Sequence, residues 1–539
     1  MALYLGFDSS TQSLTAIVIE VAASGDRRVV FEHALRFDDA FPQYGTNNGV
    51  LPREDVLVVH SSPLLWAEAL DEMMGVIARD SRVDLRELRA ISGSGQQHGS
   101  VYLNDTFPAT LGRLDSARSL SEQLSGVFTR KTAPVWMDSS TATQCEAITT
   151  AMGGAARLTS VTGSAAFERF TGPQVRKFFE ESPEAYAATA RIHLVSSFLA
   201  SLLAGGHAPI DPGDGAGMNL MDLRKKEWSL AALEATAPDL DGKLPRLAAS
   251  SSVAGFIAPY WVERYGFAPD VKVVTWSGDN PCSLVGVGLV NPGRVAISLG
   301  TSDTLFGVMS TAVVDPDREG HAFGSPTGDY MSLICFKNGS LARDAVRAQY
   351  DLDWEGFSIA LRATAPGNRG GLMLPWFEPE ITPTVREAGV RRYNLDPNDG
   401  AANVRAVVEA QMMSTRIHSK WMGVEVNEIY ATGGAARNRE ILQIMADVHE
   451  ASVYQFVVGN SACLGAALRA FHAVESEQTW EEIVRGFAEP VRESRINPNP
   501  TSAAVYRELR ALYAACEANV LSGGEDPTPL LERWTAPVG

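Results

Sequence analysis

The chain has 539 residues, of which 45% are hydrophobic and 20% are charged, and its formal net charge is −18. A chain of this length exceeds what one hydrophobic core supports, so two large domains are expected. The negative charge argues against nucleic acid and anionic membranes as partners, because neither attracts an acidic surface.

The cysteines and the apolar runs indicate the compartment. The five cysteines have no CxxC spacing, which is typical of reduced thiols and argues against a disulfide framework or a zinc site. The N-terminal residues lack the basic start of a secretory signal, and no apolar run approaches the roughly 20 residues of a membrane-spanning helix. We therefore expect a soluble cytoplasmic protein.

The chain begins with a predicted β-hairpin. Residues 3–20 read LYLGFDSSTQSLTAIVIE, in which two apolar segments flank a tip of small hydroxyl residues that follows Asp8. A strand, a small polar turn and a β-branched strand form the usual pattern of such hairpins.

A glycine-rich loop follows the first predicted helix. The helix is predicted over residues 56–80 from the spacing of apolar side chains. Residues 88–103 then read LRAISGSGQQHGSVYL, a strand, a loop and a second strand. Gln97 and His98 in this loop offer donors and acceptors that suit a polyol. A lone histidine is more often internally satisfied, but the flanking glycines allow a ligand to approach the backbone.

Two polar motifs precede the middle of the chain. Asp138 in PVWMDSST comes before a helix predicted over residues 142–152, and its spacing favours an N-cap. Arg169 in FERFTG lies between two phenylalanines. Its simplest interpretation is a local salt bridge with Glu168.

The segment from Val273 to Met309 combines a carboxylate with a second hairpin. Asp279 follows an apolar run in SGDNP, and about twenty residues later VAISLGTSDTLFGVM repeats the strand–turn–strand pattern. Turns such as Gly300 to Ser302 offer backbone N–H groups and hydroxyls to a phosphate. A carboxylate near such a turn indicates a base beside a phosphoryl donor. The pattern alone is equally consistent with duplicated domains and with two unrelated hairpins.

A double glycine is the main feature of the C-terminal part. In EIYATGGAARN a strand runs into Gly433 and Gly434, and a helix is predicted over residues 439–449. Glycines at such a turn let the backbone approach a base or a phosphate, although a short glycine motif alone is weak. Residues after Gly523 are predicted to be peripheral or partly disordered.

Seven motifs in a fixed order resemble the FGGY family of carbohydrate kinases. They are GFDSSTQS, GQQHG, WMDSST, ERFTG, GDNP, SLGTSDT and ATGGAARN. The resemblance covers the chain from Leu3 to about Ala470, and within the family it is strongest to the animal-type members that phosphorylate xylulose.

This resemblance implies an α/β fold with two ribonuclease-H-like (actin-like ATPase) domains around a central cleft. It implies a sugar-binding domain over residues 1–286, an ATP-binding domain over 287–523 and a peripheral tail over 524–539. The implied activity is ATP-dependent phosphorylation of D-xylulose to D-xylulose 5-phosphate with Mg²⁺, by a monomer or a homodimer. The alternatives are a family member that acts on ribulose, gluconate, fuculose or glycerol, and a catalytically silent sugar-binding regulator.

Site residues follow from matching each motif position by position. Asp279 corresponds to the catalytic base of the family, and Asp8 to the aspartate that serves the metal and the phosphates. The implied sugar-binding residues are Gln97, His98, Arg169, Asp279 and Asn280. The implied ATP-binding residues are Thr11, Gln12, Gly300, Thr301, Ser302, Trp354, Gly433, Gly434, Ala435 and Asn438.

One position departs from the family pattern. The first hairpin of the family usually carries Lys or Arg about seven residues after the aspartate, and this chain has Thr15 there. Lys337 and Arg437 are the two alternative sources of positive charge for the donor phosphates.

Overall fold

A computed structural model describes residues 1–456 and 459–534 of the protein. The last five residues of the predicted tail, 535–539, lie outside the described residues. Two mixed β-sheets, each flanked by helices, form the two halves of the chain.

The first sheet contains five main strands in the order β3-β2-β1-β4-β5. Strands β1, β2 and β3 are antiparallel, and β4 and β5 continue from β1 in the parallel direction. The strand Val253–Phe256 pairs antiparallel with β5 at the edge. The bounds are β1 Ala2–Ser9, β2 Ser13–Val21, β3 Arg27–Arg36, β4 Leu88–Gly95 and β5 Lys272–Val274.

The second sheet has the order β8-β9-β7-β6-β10-β11. Strands β6, β7 and β9 are antiparallel, whereas β10 and β11 continue from β6 in the parallel direction. The bounds are β6 Arg294–Leu299, β7 Asp303–Met309, β8 His321–Gly324, β9 Tyr330–Phe336, β10 Glu428–Thr432 and β11 Ser452–Gln455.

The two sheets therefore share a core of three antiparallel strands followed by two parallel ones, and each adds one antiparallel edge strand, Val253–Phe256 in the first sheet and β8 in the second. The hairpin β1–β2 occupies the same place in the first sheet as β6–β7 occupies in the second. This correspondence confirms the interpretation of the repeated pattern as a domain duplication, and it confirms the predicted fold class.

Two helices, one from each half, pack closely against each other where each has a glycine. A Cβ on Gly286, in the helix Asp279–Gly286, would lie 1.9 Å from the carbonyl oxygen of Ser461. A Cβ on Gly465, in the helix Ser461–Val474, would lie 1.8 Å from that of Cys282. The helix Ser461–Val474 also packs on β1 and β4, so an element from late in the chain covers the first sheet.

The other helices surround the sheets and are mostly short. In the first half they are Phe37–Ala40, Pro63–Arg79, Phe107–Leu111, Leu120–Leu124, Ala142–Ala151, Ala155–Thr162, Thr171–Glu181, Pro183–Ala188, Val195–Ala204, Pro212–Ala216, Leu230–Thr236, Leu240–Lys243 and Pro259–Tyr265. In the second half they are Ser340–Gln349, Trp354–Ala363, Gly400–His418, Arg439–His449, Trp480–Val484, Pro500–Ser522 and Thr528–Arg533.

Short strand pairs complete the structure outside the main sheets. Their bounds are His60–Ser61 with Ala133–Pro134, Ser100–Leu103 with Arg191–Leu194, Met221–Asp222 with Glu227–Trp228, and Leu372–Leu374 with Arg391–Tyr393. Ser277–Gly278 pairs with the end of β4.

Two local predictions differ from the structure. The first long helix begins at Pro63 and not near residue 56, because proline suits the first helical position. Asp138 is not an N-cap: Thr141 precedes the helix that begins at Ala142. The described part of the predicted tail forms the helix Thr528–Arg533, with Leu531 buried. Across residues 1–456 and 459–534, no helix has the length and hydrophobicity needed to cross a membrane.

Candidate active site

Two carboxylates lie at the carboxyl edge of the first sheet. Asp8 is near the end of β1, and Asp279 starts the helix that follows the strand beside β4. Ends of neighbouring parallel strands meet at one sheet edge, which brings the two groups together. Burial raises the pKa of Asp8 to about 7, and the charge of Asp279 acts in the same direction. Burial raises the pKa of Asp279 to about 6.

Both carboxylates remain accessible from the cleft, since each side chain is only partly buried. Asp8 accepts one hydrogen bond, 2.8 Å long, from the hydroxyl of Ser94. Asp279 accepts two hydrogen bonds from Asn280 at the same oxygen, one from the backbone N–H over 2.8 Å and one from Nδ2 over 3.1 Å. Oxygen lone pairs on both groups are therefore free to meet a substrate or a cation.

The amides beside Asp279 fix the orientation of the glycine-rich loop. Asn280 donates through Nδ2 to the Oε1 atom of Gln97 over 2.8 Å. A Cβ on Gly278 would lie 2.4 Å from Cγ of Gln97, so only glycine allows this approach. The structure thus brings Gln97 to Asn280, which is 183 residues further along the chain and follows Asp279 directly.

His98 has one definite tautomer. Its Nδ1 lies 2.7 Å from the carbonyl oxygen of Gly217, and a carbonyl only accepts, so Nδ1 carries the proton. Burial and the charge of Arg169 lower the pKa of His98 to about 3. The ring is therefore neutral, and its Nε2 is an acceptor for a hydroxyl. Its φ of 72° is unusual for a residue other than glycine and is typical of functional loops.

Arg169 lies between aromatic rings. Its guanidinium carbon is 5.2 Å from the ring centre of Phe167 and 5.7 Å from that of Phe170. Its Nη2 lies 3.3 Å from Nε2 of His321. Within the residues that the structure describes it makes no ion pair with Glu168, so the simpler interpretation as a local salt bridge does not hold. The rings restrict the guanidinium and leave donors for a sugar.

Asp138 supports the segment before Arg169. It accepts from Nε2 of Gln174 at 2.7 Å and from the backbone of Ser140 at 3.0 Å. Gln174 and Thr141 also donate to the carbonyl of Glu168, over 3.2 Å and 2.6 Å. The WMDSST motif therefore holds the ERFTG loop in place.

Trp136, which is not among the predicted site residues, contacts the tip of the first hairpin. Its indole N–H donates to the hydroxyl of Thr11 over 2.8 Å, and Thr11 donates to Gln96 over 3.4 Å. Trp136 is 45% exposed, which is unusual for tryptophan. The sequence gives no sign of this exposure, so only the structure draws attention to the residue. Thr11, predicted to contact ATP, lies beside the glycine-rich loop, and Gln12 is exposed at the hairpin tip.

A cavity of about 680 Å³ lies on the second half of the molecule. Its predicted members are Gly300, Thr301, Trp354, Gly434, Ala435 and Asn438. The lining residues that the sequence analysis did not assign to it are Leu299, Ser340, Asp344, Glu355, Ser358, Arg437 and Ile441. The polar run before the helix Ser340–Gln349 was a usable signal, because a helix N-terminus attracts phosphate.

Local geometry explains the double-glycine turn. A Cβ on Gly433, whose φ is 86°, would lie 2.4 Å from the carbonyl oxygen of Leu299. Asn438 caps the next helix through its Oδ1, which accepts from the backbone N–H of Glu440 over 3.0 Å. Asn438 also donates to Ser358 over 2.9 Å. The turn is thereby fixed against the turn that contains Gly300.

The second hairpin has its own carboxylate, which is not available for catalysis. Asp303 accepts two hydrogen bonds from Arg343, over 2.8 Å and 2.9 Å, and both side chains are buried. Arg343 also donates to Gln411 and contacts the carbonyl of Gly300. This ion pair fixes the turn in which Ser302 is exposed.

Thr15 occupies the position where the family usually has Lys or Arg, so this position supplies no positive charge to the donor phosphates. Thr15 lies opposite Asp8 in the hairpin and is buried. Lys337 is 4.0 Å from Glu378 and does not line the cavity, whereas Arg437 does. Of the two alternative sources of charge, Arg437 has the better position.

The residues present are suited to a hydrated Mg²⁺ ion. In the described part of the chain no group of three or more His, Cys, Asp and Glu side chains could form a metal cage. Mg²⁺ usually takes one or two carboxylates and keeps several waters, together with substrate phosphates. Asp8, with free lone pairs in the cleft, fits this pattern.

The fold and the site together define a class. Two duplicated ribonuclease-H-like halves, with a carboxylate pair on one side and a cavity beside a Gly/Thr/Ser turn on the other, define a two-domain protein of the actin-like ATPase fold. A crystal structure of a xyloylose kinase from Brucella ovis superimposes with a TM-score of 0.79, at 21% identity, over 96% of this chain and 99% of that chain.

The family is equally clear. Residues 130–286 match the N-terminal domain of the FGGY family of carbohydrate kinases and residues 295–474 match its C-terminal domain, so the chain belongs to that family. The chain is 42% identical to xylulose kinase of Mus musculus over 97% of this chain and 95% of that one. It is 44% identical to xylulose kinase 2 of Arabidopsis thaliana over 87% of each.

Proposed function

We propose that the protein phosphorylates D-xylulose with ATP to give D-xylulose 5-phosphate, and that Asp279 is the general base. The observation that carries the substrate assignment is the 42% identity to the mouse xylulose kinase over 97% of this chain. Asn280 contacts both Asp279 and Gln97, and Arg169 lies near enough to His98, the next residue of the loop, for its charge to act on the ring. This set of polar groups supports a polyhydroxylated substrate.

The base assignment rests on the position and the pKa of Asp279. Asp279 accepts the proton of the terminal hydroxyl while that oxygen forms a bond to the γ-phosphorus and the bond from phosphorus to ADP breaks. A pKa of about 6 leaves the carboxylate mostly ionised at neutral pH and more basic than an exposed aspartate. Base catalysis of this kind contributes on the order of 10²–10⁴-fold.

The sugar-side residues orient that hydroxyl. Neutral His98 offers its Nε2 as an acceptor for a hydroxyl hydrogen of the sugar, whereas Arg169 offers only donors, which bind a sugar oxygen. Asn280 and Gln97 hold each other by a hydrogen bond and therefore present fixed polar edges. Pre-organised groups of this type convert binding energy into orientation.

On the ATP-binding half, backbone N–H groups and a helix N-terminus stabilise the negative charge of the phosphates. The turn from Gly300 to Ser302 supplies N–H groups and hydroxyls, and the helix Ser340–Gln349 begins beside it, with the N–H of Ser340 donating to the carbonyl of Gly300. Trp354, 45% exposed at the cavity, is suited to contact the base of the nucleotide. We assign the lining residues Gly434, Ala435 and Asn438, together with Gly433 at the start of their turn, to the adenosine.

Mg²⁺ and the first hairpin complete the proposal. When bound, Mg²⁺ neutralises charge on the phosphates of the donor. Asp8 would hold it, through water, from the sugar-side wall of the cleft. We also propose that Thr11 and Gln12 at the hairpin tip approach the donor phosphates when the two halves close, which excludes water from the transfer.

A substrate panel tests the proposal. ATP consumption is measured with D-xylulose, D-ribulose, L-fuculose, gluconate and glycerol, each at several concentrations with Mg²⁺ and with EDTA. We expect kcat/KM to be highest for D-xylulose by at least about tenfold, since sites built on hydroxyl contacts reject wrong isomers. Preference for another of these compounds would reassign the substrate within the family, and turnover of none would favour the sugar-binding regulator.

A further inference from the structure

His321 belongs to the second half of the chain but lies in the sugar-side cluster. It begins β8, is 3% exposed, and its ring centre lies 4.9 Å from that of Phe167 and 5.7 Å from that of Phe170. Its Nε2 accepts from Nη2 of Arg169 over 3.3 Å. The contact therefore joins the two halves at the arginine assigned to the sugar.

The tautomer of His321 is defined by both of its partners. Arginine only donates, so Nε2 is the unprotonated nitrogen, and Nδ1 carries the hydrogen that reaches the hydroxyl of Ser164 over 3.2 Å. Burial keeps the pKa of His321 well below its usual range, and the charges of Arg169 and His98 act in the same direction. The ring is thus a neutral, two-point link between Ser164 and Arg169.

The backbone around His321 is docked on the sugar-binding half. The N–H of Ala322 donates to the carbonyl of Gly163 over 3.0 Å. A Cβ on Gly163 would lie 2.3 Å from the carbonyl oxygen of Ala322, and one on Gly324 would lie 2.7 Å from the backbone of Pro212. The start of β8 is therefore fixed by close backbone contacts, and the His321 ring has little freedom to withdraw.

We infer that His321 is a positioning residue for the sugar: it holds the guanidinium of Arg169, from the nucleotide-side half, in the orientation that binds the ketose. This inference rests on the proposed function. Phe167 and Phe170 restrict the guanidinium by contact with their faces but offer no acceptor, so the hydrogen bond to His321 sets its rotation. The sugar-binding site is complete only with this residue from the second half.

The test compares His321→Leu with His321→Gln. Leucine removes the acceptor, whereas glutamine keeps an acceptor for Arg169 and a donor for Ser164. We measure KM for D-xylulose, KM for ATP and kcat, together with ketose binding by calorimetry without nucleotide. For His321→Leu we expect the ketose KM and Kd to rise about tenfold or more, as a hydrogen bond to a charged group is lost. We expect kcat and the ATP KM to change less than about threefold.

A matched control separates positioning from packing. His449 is also a buried histidine of the second half, 1% exposed, with Nε2 3.0 Å from the hydroxyl of Thr415. His449→Leu should lower the melting temperature and leave the ketose KM unchanged. If His321→Leu does not fold, Ser164→Ala, which removes the Nδ1 partner, replaces it with an expected rise of about threefold, the effect of one neutral hydrogen bond.

The outcomes are distinct. A rise in ketose KM and Kd that glutamine restores to within about threefold of wild type supports the inference. An unchanged ketose KM in His321→Leu, or an equal loss in His321→Gln, or an equal rise in His449→Leu, overturns it. If the wild-type protein phosphorylates no ketose, the proposed function fails, and ketose binding by the same variants still decides the role of His321.

Discussion

The two hairpins, one in each half of the molecule, have the same topology, but their carboxylates have opposite charge environments. In the first, Asp8 lies in the cleft with one hydroxyl partner and a second carboxylate nearby, and its pKa is raised to about 7. In the second, Asp303 is fully enclosed and bound at two points by Arg343. Domain duplication therefore supplied two similar turns, of which one keeps its carboxylate free for a ligand and the other uses it to stabilise the turn.

The difference teaches how to separate a functional carboxylate from a structural one in a repeated motif. A free carboxylate in low dielectric costs stability, because its charge is desolvated without a compensating cation. A carboxylate paired with a buried arginine is costly only when one partner is removed. Substitution of Asp8 in the first hairpin should therefore lower activity more than stability, and substitution of Asp303 in the second should lower stability more than activity.

The largest effect is expected at Asp279, which adds its charge to that of the first hairpin. Asp279→Asn should lower kcat about 10²–10⁴-fold, because the amide cannot accept the proton of the sugar. Steady-state kinetics with D-xylulose measure this, and the melting temperature should not fall, since a desolvated charge has been removed. A kcat within about threefold of wild type would contradict the role of base.

In the second hairpin, Asp303→Ala should lower the free energy of unfolding by about 3–5 kcal/mol, because the charge of Arg343 stays buried without its partner. Urea denaturation measures this loss. The double variant Asp303→Ala with Arg343→Met should lose less than the single one, since no unpaired charge remains. Equal losses in both variants would show that the ion pair is not what stabilises the turn.

In the first hairpin, Asp8→Asn should lower kcat about tenfold to a hundredfold and raise the Mg²⁺ concentration needed for half-maximal activity, as expected when an indirect metal partner is lost. Its free energy of unfolding should be equal to or above that of wild type. Mg²⁺ titrations of the rate and urea denaturation provide both values. A protein that is destabilised as strongly as Asp303→Ala would remove the contrast between the hairpins.

The smallest effect is a pH dependence of stability that comes from Asp8. The folded-state pKa of about 7 lies above the ordinary value of 3.8, so the folded state keeps a proton that the unfolded state has released. The free energy of unfolding should therefore fall as pH rises between these two values, by on the order of 1 kcal/mol after screening by water in the cleft. Asp8→Asn should flatten this slope. If Asp8→Asn and the wild type have equal slopes, the pH dependence of the free energy of unfolding comes from a group other than Asp8.

Much of the fold could be predicted from local patterns. The hairpin around Asp8 and the repeat that contains Gly300 follow from period-two apolar residues and small turn residues, which are properties of adjacent positions. The strand, double glycine and helix around Gly433 are local for the same reason. The family resemblance then supplied the arrangement of the halves, which periodicity alone left open.

The parts that could not be predicted depend on distant contacts. His321 carries no motif, and only the docking of β8 on the sugar-side half brings it to Arg169. Asp138 fits a helix cap by spacing, but Gln174 and Ser140 offer it donors that spacing does not show. Trp136 resembles a core residue until its exposure is known. Such roles arise in tertiary packing, which overrides local preference.

The helix Ser461–Val474 has a consequence for synthesis on the ribosome. It packs on β1 and β4 of the first sheet, where the ring centre of Phe471 lies 4.9 Å from that of Tyr4. A nascent chain that has reached only residue 286 still exposes the apolar surface that this helix covers, and exposed surface of this kind attracts chaperones or aggregates. The first half is therefore synthesised first, but its sheet is covered only after the helix Ser461–Val474 has been synthesised. A chain released before residue 474 lacks part of this helix, so both halves remain incomplete.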